Sequence, residues 1–190
     1  MADEIVTGIV LAGGRSSRMG TDKALMLYKG RPLIEHAVGI LREVSDMVVI
    51  SANTDNYSFT GCEIWPDAVQ FNAAMAGIYS CIRRSATTWN VVLSCDMPLV
   101  DPGFLHLMLK HKNDSNVLIP VHEDGHPEPL CAIYNRNVLH AMEQQIRKDN
   151  YSLRQLLFSS SFKSFPVSRK DRFRFANVNT TQDFDLLDQT

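Results

Sequence analysis

The sequence predicts a single α/β domain of three layers, α/β/α, in which helices cover both faces of a mainly parallel sheet. Over the first two-thirds of the chain, short apolar runs typical of buried strands alternate with segments whose apolar residues recur at helical spacing. This alternation is typical of βαβ units with right-handed crossovers. The 190 residues are 45% hydrophobic and 21% charged, enough for one substantial core and too few for two comfortable domains. We therefore expect residues 1–190 to form one domain.

Each predicted element follows from a local pattern. Apolar runs bounded by glycine or polar residues predict strands at 5–11, 47–50, 63–65, 91–93, 116–121, 130–134 and 173–176. Helical spacing predicts helices at 32–44, 75–82, 137–148 and 152–158, and a further helix after the cap residue Asp101. Thr180 and Asp183 have capping-box spacing, which predicts a closing helix.

Small and polar residues follow three of the predicted strands. Residues 12–23 follow the first strand, Asn53 follows the strand at 47–50, and Asp96 follows the strand at 91–93. In open parallel sheets, ligands bind outside the carboxyl ends of the strands. We therefore expect these residues to meet along one edge of the sheet.

The stretch after the first strand has the composition of a phosphate-binding loop. It reads Ala12-Gly13-Gly14-Arg15-Ser16-Ser17-Arg18-Met19-Gly20-Thr21-Asp22-Lys23. Small residues let the backbone approach a ligand, and Gly13 and the other glycines can take positive φ, so that successive N–H groups converge on an anion. Arg15, Arg18 and Lys23 add three cations. Since neither G-x-x-x-x-G-K-[ST] nor G-x-G-x-x-G is present, the pattern predicts a triphosphate site unlike that of P-loop NTPases or dehydrogenases.

Asp96 is the candidate metal ligand. It follows an apolar strand and precedes Met97-Pro98, which places its side chain at the predicted sheet edge. Mg²⁺ is usually held by one or two carboxylates together with substrate phosphates and water, so one aspartate is enough. On the residues alone, an aspartate that caps a turn or helix is an equally good interpretation.

Charge and cysteine content exclude other classes. With 19 basic and 21 acidic residues the net charge is -2, which argues against a broad nucleic-acid-binding face. The basic residues at 163–174 are interpreted as a solvated loop. The four cysteines lack C-x-x-C spacing, and neither a signal peptide nor a membrane-spanning run is recognisable. We expect a cytoplasmic protein that binds neither nucleic acid nor membrane.

The stretch from Leu11 to Lys23, followed by Gly30-Arg31-Pro32-Leu33, resembles the L-A-G-G-x-S-x-R-M-G-x-D-K…G-x-P-L signature of the molybdenum cofactor guanylyltransferases, the MobA family. Cys95-Asp96-Met97-Pro98 is similar to the C-D-x-P segment that holds the family's metal ligand. Asn53 and Asp67 resemble the family's guanine or ribose contacts, although turn chemistry would also explain them. The resemblance implies a Rossmann-like fold similar to the nucleotide-diphospho-sugar transferases.

The end of the chain carries the resemblance further. Asn177-Val178-Asn179-Thr180 is similar to the family's N-x-N-T-P segment, associated with the pterin and with the neighbourhood of the metal. His126-Pro127 is similar to a region near the second substrate, and a solvated loop histidine is an equally good interpretation. The nucleotide part would span about 1–110 and the pterin side about 111–190.

The implied reaction is transfer of GMP from GTP to molybdopterin with Mg²⁺ as cofactor, in a monomer or weak homo-oligomer. Further implied partners are cofactor-biosynthesis proteins and recipient molybdoenzymes. The implied catalytic residues are Lys23, Arg15, Arg18 and Asp96, with Asp96 as metal ligand. The implied binding residues are Leu11, Ala12, Gly13, Gly14, Lys23, Asn53, Asp67, Asp96, Asn177 and Asn179.

The sequence departs from the family pattern at two places. Ala73-Ala74 stand where the family has Gly-Pro, and Thr181 stands where it has Pro. Two alternative functions therefore stay open. One keeps the fold and uses CTP with molybdopterin, or a sugar phosphate, although such enzymes generally read L-A-A-G at the loop. The other is a nucleotide-binding protein that delivers a cofactor without chemistry.

Overall fold

The computed structural model describes residues 4–13, 22–69, 71, 73–112, 115–178 and 183. The strands are β1 (Val6–Leu11), β2 (Leu27–Tyr28), β3 (Arg31–Pro32), β4 (Met47–Ser51), β5 (Glu63–Trp65), β6 (Trp89–Ser94), β7 (Val117–His122), β8 (Cys131–Asn135) and β9 (Phe162–Val167). The helices are α1 (Leu33–Arg42), α2 (Ala74–Arg84), α3 (Pro102–Lys110), α4 (Leu139–Ile146) and α5 (Leu153–Ser159). Short 3₁₀ helices include Lys23–Leu25, Ser58–Thr60, Arg136–Val138 and Arg169–Phe175.

Seven strands form one sheet in the order β5-β4-β1-β6-β8-β7-β9, and β2 and β3 form a small hairpin. The sheet is parallel except at β8, which is antiparallel to both β6 and β7. The reason is the length of the connection between β7 and β8. Residues 123–130 are too few to carry a crossover helix, so the chain turns back on itself. The predicted mainly parallel sheet is confirmed.

Helices pack on both faces of the sheet and separate two apolar clusters. One cluster joins α1 and α3 to the face of β1 and β6 that carries Val10 and Leu93. The other joins α2, α4 and α5 to the opposite face, which carries Ile9 and Val92. The alternation of side chains along each strand therefore divides the core into two layers, as three-layer packing requires. Within the described part of the chain, no helix has the length and apolar character to cross a membrane.

Two predictions for the last third of the chain are wrong. The strand expected at 173–176 is a 3₁₀ helix, Arg169–Phe175, and the strand of that region lies earlier, at β9. The apolar residues of 173–176 suggest a strand. In the structure, however, Phe175 is buried and Phe173 is 46% exposed. The basic stretch at 163–174 is also not a loop, because it is divided between β9 and this 3₁₀ helix, although Arg169 and Arg172 are exposed as expected of solvated residues. Arg169, Arg172 and Arg174 form ion pairs with Glu123, Asp124 and Asp101.

The four parallel strands of the first half end at the same level. In the register of the sheet, Leu11 lies opposite both Ser51 and Ser94, and Ser51 lies opposite Trp65. The antiparallel β8 begins at this edge, since Cys131 is paired with Leu93. The residues that follow β1, β4, β5 and β6 are therefore neighbours in space along one edge, as the sequence predicts.

Candidate active site

Backbone hydrogen bonds hold the segments that leave the strand ends. Ala12 N donates to Ser51 O at 3.2 Å, and Cys95 N donates to Leu11 O at 3.1 Å. Ala52 N donates to Trp65 O at 3.2 Å. These bonds continue the sheet pattern past the formal strand ends. The chain after each strand therefore starts from a fixed position at this edge.

Lys23 and Asp96 meet at the centre of the edge. The Lys23 Nζ lies 2.7 Å from Asp96 Oδ2, and their side chains are only 15% and 20% exposed. A charge-assisted bond this short, partly shielded from water, is stronger than a surface ion pair. The contact joins the end of the candidate phosphate loop to the residue that follows β6.

The main chain of Asp96 is anchored from two sides. Met97 N donates to Ser94 O at 3.2 Å, which closes a turn immediately after β6. Val178 N donates to Asp96 O at 2.9 Å, so the late segment of the chain crosses the edge beside Asp96. The preceding Asn177 is exposed there. The family resemblance implies that the Asn177 segment lies near the metal ligand, and the structure places Val178 beside Asp96.

The other oxygen of Asp96 has the properties expected of a metal-binding group. Asp96 Oδ1 is buried and has no hydrogen-bond partner in the described part of the chain. A buried carboxylate oxygen without a partner is costly, and a hard cation would satisfy it. Among the described residues, His, Cys, Asp and Glu do not form a group of three or more that could hold a metal by themselves. The single oxygen of Asp96 fits a hard divalent cation that takes its remaining ligands from phosphates and water.

Asp22 and Tyr57 also belong to this arrangement, although no role was predicted for either residue. Asp22 caps the 3₁₀ helix Lys23–Leu25, since its side chain accepts from Ala24 N at 3.1 Å. The buried Tyr57 hydroxyl lies 2.8 Å from Asp22 Oδ2 and 3.2 Å from Ala12 O. For Asp22 the sequence does carry a signal, since it occupies the aspartate position of the signature that ends at Lys23.

Asn53 and Asp67 form a reciprocal pair beyond β4 and β5. Asn53 Nδ2 donates to Asp67 Oδ2 at 2.9 Å, and Asp67 N donates to Asn53 Oδ1 at 2.8 Å. Burial raises the pKa of the Asp67 carboxyl above its usual range, and the bond from Asn53 partly opposes this change. The pair leaves one carboxylate oxygen, Asp67 Oδ1, free of the Asn53 bond and able to accept from a ligand.

Gly13 does not use the backbone freedom expected of it. Its φ lies outside the left-handed region, and among the described residues a Cβ built there would meet Ser51 O, at 3.9 Å. Absence of a side chain at Gly13 suits close approach of a ligand to the backbone.

Several predicted site residues lie outside the described residues: Gly14, Arg15, Arg18 and Asn179. The same holds for Thr180 and for the start of the predicted closing helix. His126 is described and its side chain is exposed. Next to it, His122 is buried and its Nε2 lies 2.8 Å from Glu128 Oε1. This pair stiffens the connection between β7 and β8, and the sequence analysis missed it.

Cys95, which precedes Asp96, is unsuited to be a nucleophile. It is buried, and burial together with the neighbouring Asp96 carboxylate raises the pKa of its thiol to about 12. A thiol with this pKa carries almost no thiolate near neutral pH. Cys95 is therefore a small core residue.

Comparison with known protein families and sequences gives a consistent result. Residues 8–163 match the family model described as MobA-like NTP transferase domain. The molybdenum cofactor guanylyltransferase of Pseudomonas putida is 32% identical over 178 residues, which are 92% of this chain and 93% of the relative. A protein of Flavobacterium johnsoniae, named as a probable molybdenum cofactor guanylyltransferase, is 28% identical over 97% of both chains.

Solved structures share the fold. A protein of Aquifex aeolicus superposes with a TM-score of 0.81 at 26% identity, covering 95% of this chain and 97% of the other. Molybdopterin-guanine dinucleotide biosynthesis protein A of Archaeoglobus fulgidus superposes with a TM-score of 0.80 at 24% identity, covering 96% and 97%. The order of strands and helices is therefore that of a known group of structures.

Proposed function

Because this chain belongs to the MobA-like NTP transferase family of nucleotidyltransferases, we propose that it transfers GMP from GTP to molybdopterin and releases pyrophosphate. The named relatives support the guanylyl donor and the pterin acceptor. The observation that carries the proposal is the 2.7 Å contact between Lys23 and Asp96, because it brings a cation for phosphate and a carboxylate for metal to one point.

In the proposed reaction, a terminal phosphate oxygen of molybdopterin attacks the α-phosphorus of GTP in line. A phosphoanhydride bond forms to the pterin phosphate, and the bond from the α-phosphorus to pyrophosphate breaks. The attacking phosphate is already ionised near neutral pH, so no general base is required. Catalysis then consists of positioning and charge neutralisation.

The residues take separate parts in this reaction. The Lys23 ammonium neutralises the triphosphate, together with Arg15 and Arg18 from the rest of the loop. Leu11, Ala12, Gly13 and Gly14 bring the backbone close to the nucleotide. This assignment agrees with the sequence and with the place of Lys23 at the sheet edge.

Nucleotidyltransferases of this family generally depend on a divalent metal, and we propose Mg²⁺ held by Asp96. The buried, unpartnered Oδ1 of Asp96 supports this assignment. When bound, the ion supplies charge neutralisation at the phosphates and orients them. Val178, whose N–H donates to Asp96 O, is flanked in the sequence by Asn177 and Asn179. We assign both asparagines to the pterin side of the site.

Asn53 and Asp67 are proposed to recognise the guanine or ribose. The reciprocal pair fixes the orientation of the Asp67 carboxylate, whose Oδ1 can accept from the donors of a purine or from ribose hydroxyls. Its partial burial makes such a bond stronger than on an open surface. The remaining implied partners, cofactor-biosynthesis proteins and recipient molybdoenzymes, are part of the same proposal.

Thermal unfolding with each nucleotide tests the choice of base. GTP with Mg²⁺ should raise the unfolding temperature more than CTP, UTP or ATP at equal concentration, because a ligand that binds only the folded state stabilises it more as its affinity rises. A larger effect of CTP would instead support a cytidylyl transfer. Pyrophosphate release on mixing GTP, Mg²⁺ and molybdopterin tests the chemistry, and its absence despite tight GTP binding would support cofactor delivery without catalysis.

A further inference from the structure

The Tyr57 hydroxyl is placed between two parts of the candidate site. Tyr57 follows β4 and is 2% exposed, and its ring packs in the same apolar cluster as β1 and α1. Its oxygen lies 3.0 Å and 2.8 Å from the two carboxylate oxygens of Asp22 and 3.2 Å from Ala12 O. Burial, followed by the neighbouring Asp22, raises the pKa of Tyr57 far above its usual range, so the hydroxyl keeps its proton and acts as a donor.

Asp22 transmits this contact to Lys23. The Asp22 side chain accepts both from Tyr57 and from the backbone N–H of Ala24. In the chain, Lys23 lies between Asp22 and Ala24, and it is the first residue of the 3₁₀ helix Lys23–Leu25. The position of its Cα is therefore set by the bonds on either side, while its ammonium reaches Asp96.

We propose that Tyr57 is a positioning residue, whose hydroxyl holds Asp22 near the end of β1 and thereby places the Lys23 ammonium for the triphosphate. This inference rests on the proposed function, because it concerns the same nucleotide site. It adds a residue that contacts neither reactant and acts through Asp22. The physical reason is that a hydrogen bond from a buried donor to a charged acceptor is strong and directional.

A double-mutant cycle between Tyr57 and Lys23 tests the inference. Tyr57→Phe removes one oxygen and keeps the buried ring. We expect it to lower kcat/KM for GTP by about tenfold, since small misplacement of a catalytic group is costly. In the Lys23→Ala background the same change should lower kcat/KM by less than about twofold, because the group being positioned is gone. An equal tenfold loss in both backgrounds would overturn the inference.

Tyr134→Phe is the matched control for loss of a buried hydroxyl. Tyr134 is fully buried and its hydroxyl donates to Pro129 O at 2.8 Å, so Tyr134→Phe also removes one buried hydrogen bond but leaves Asp22 untouched. Both variants should unfold at lower temperature without nucleotide, but only Tyr57→Phe should also lose part of the extra stabilisation produced by GTP with Mg²⁺. Equal stabilisation by GTP in Tyr57→Phe and in the parent protein would contradict the positioning role.

Asp22→Ala gives a second test, which removes the other partner of the same hydrogen bond. Adding Tyr57→Phe to Asp22→Ala should therefore cause no further loss of kcat/KM. A further tenfold loss would show that Tyr57 acts by another route. Failure of the parent protein to bind GTP or release pyrophosphate would refute the proposed function, whereas normal parent activity with an unaffected Tyr57→Phe refutes only the role of Tyr57.

Discussion

Lys23 and Asp96 are 73 positions apart in the sequence and 2.7 Å apart in space. In the proposed site, Lys23 binds phosphate and Asp96 binds the metal. Each also compensates the charge of the other while the site is without substrate. A residue pair of this kind links stability to function, because removing one partner leaves the other partly buried without its counter-charge.

Substitution of these two residues separates their duties. Asp96→Ala should reduce GMP transfer to the background rate, because the proposed metal ligand is lost. Lys23→Ala should reduce the rate on the order of 10²-fold, as loss of one preorganised charge often does. Steady-state kinetics with GTP and molybdopterin would measure both changes. Glu43→Gln and Lys110→Ala, exposed at the ends of α1 and α3, are controls that should leave the rate unchanged.

The burial of the Asp67 carboxyl should make the free energy of unfolding depend on pH. Because burial raises the pKa of Asp67 in the folded protein, the folded state holds this proton more tightly than the unfolded chain. The free energy of unfolding therefore falls, relative to Asp67→Asn, as the pH rises from about 4 through the raised pKa. Urea unfolding between pH 4 and 7 should show that the free energy of unfolding of Asp67→Asn increases relative to that of the parent protein as the pH rises. The affinity of Asp67→Asn for GTP should be lower than that of the parent protein.

Asp124 is a control of opposite sign for that experiment. The backbone N–H of His126 lowers the pKa of the Asp124 carboxyl, so the folded state loses this proton more readily than the unfolded chain. Relative to Asp124→Asn, the parent protein should gain stability as the pH rises from the lowered pKa of Asp124 to the ordinary value of 3.8, and the difference should change little between pH 4 and 7. A parent protein that gains stability relative to Asp67→Asn between pH 4 and 7 would contradict the raised pKa of Asp67.

At the scale of elements, the site depends on how closely α2 approaches β4. A Cβ at Gly77 in α2 would lie 2.4 Å from Ser51 Oγ and 3.4 Å from Asp67 Oδ1. Glycine at this position therefore lets the helix lie against the strand end that leads to Asn53. Gly77 agrees with the family pattern, whereas Ala73 and Ala74 depart from it. Ala73 immediately precedes α2, and Ala74 is its first residue.

Gly77→Ala should lower the free energy of unfolding by about 1–3 kcal/mol, as overpacking in a closely packed region does. Chemical denaturation would measure the change. Adding Ser51→Ala should restore most of the loss, because it removes the nearest atom. Gly39→Ala in α1 is the matched control: a Cβ there meets no atom of the described residues within 4 Å, so better helix propensity should stabilise the protein by about 0.5–1 kcal/mol. Destabilisation by both changes would point to helix bending instead of contact with β4.

At the scale of the whole molecule, one sheet carries both apolar clusters and the candidate site. Strands β1 and β6 contribute side chains to the cluster on each face. Since neither face can lose its helices without exposing the shared strands, we expect the two halves of the chain to unfold together, which would support the predicted single domain.

The two tryptophans report separately on the two faces. Trp89 belongs to the cluster with α1 and α3, and Trp65 belongs to the cluster with α2 and α4. In Trp65→Phe and Trp89→Phe, fluorescence of the remaining tryptophan and circular dichroism should therefore give one urea midpoint within each variant. Separate midpoints for the two probes of one variant would indicate that the faces unfold independently.

Much of this arrangement could be predicted from local sequence. The apolar runs ending at Leu11, Ser51 and Ser94 identify the central strands, because a strand buried on both faces reads as continuous hydrophobic sequence. The topological rule for parallel sheets then predicts that Asn53 and Asp96 meet the loop after β1. The edge strand β9 was missed because it is mostly exposed and lacks an apolar run.

The sequence by itself determined the class of fold, the edge of the sheet that carries the site and the residue types available for phosphate and metal. Only the tertiary structure decided that Tyr57 and Asp22 support Lys23, that Asn53 pairs with Asp67, and that the stretch before Asn177 is a 3₁₀ helix. The physical reason is the range of the interactions. Periodicity and turn residues act between near neighbours in the chain, whereas these contacts join segments that only packing brings together.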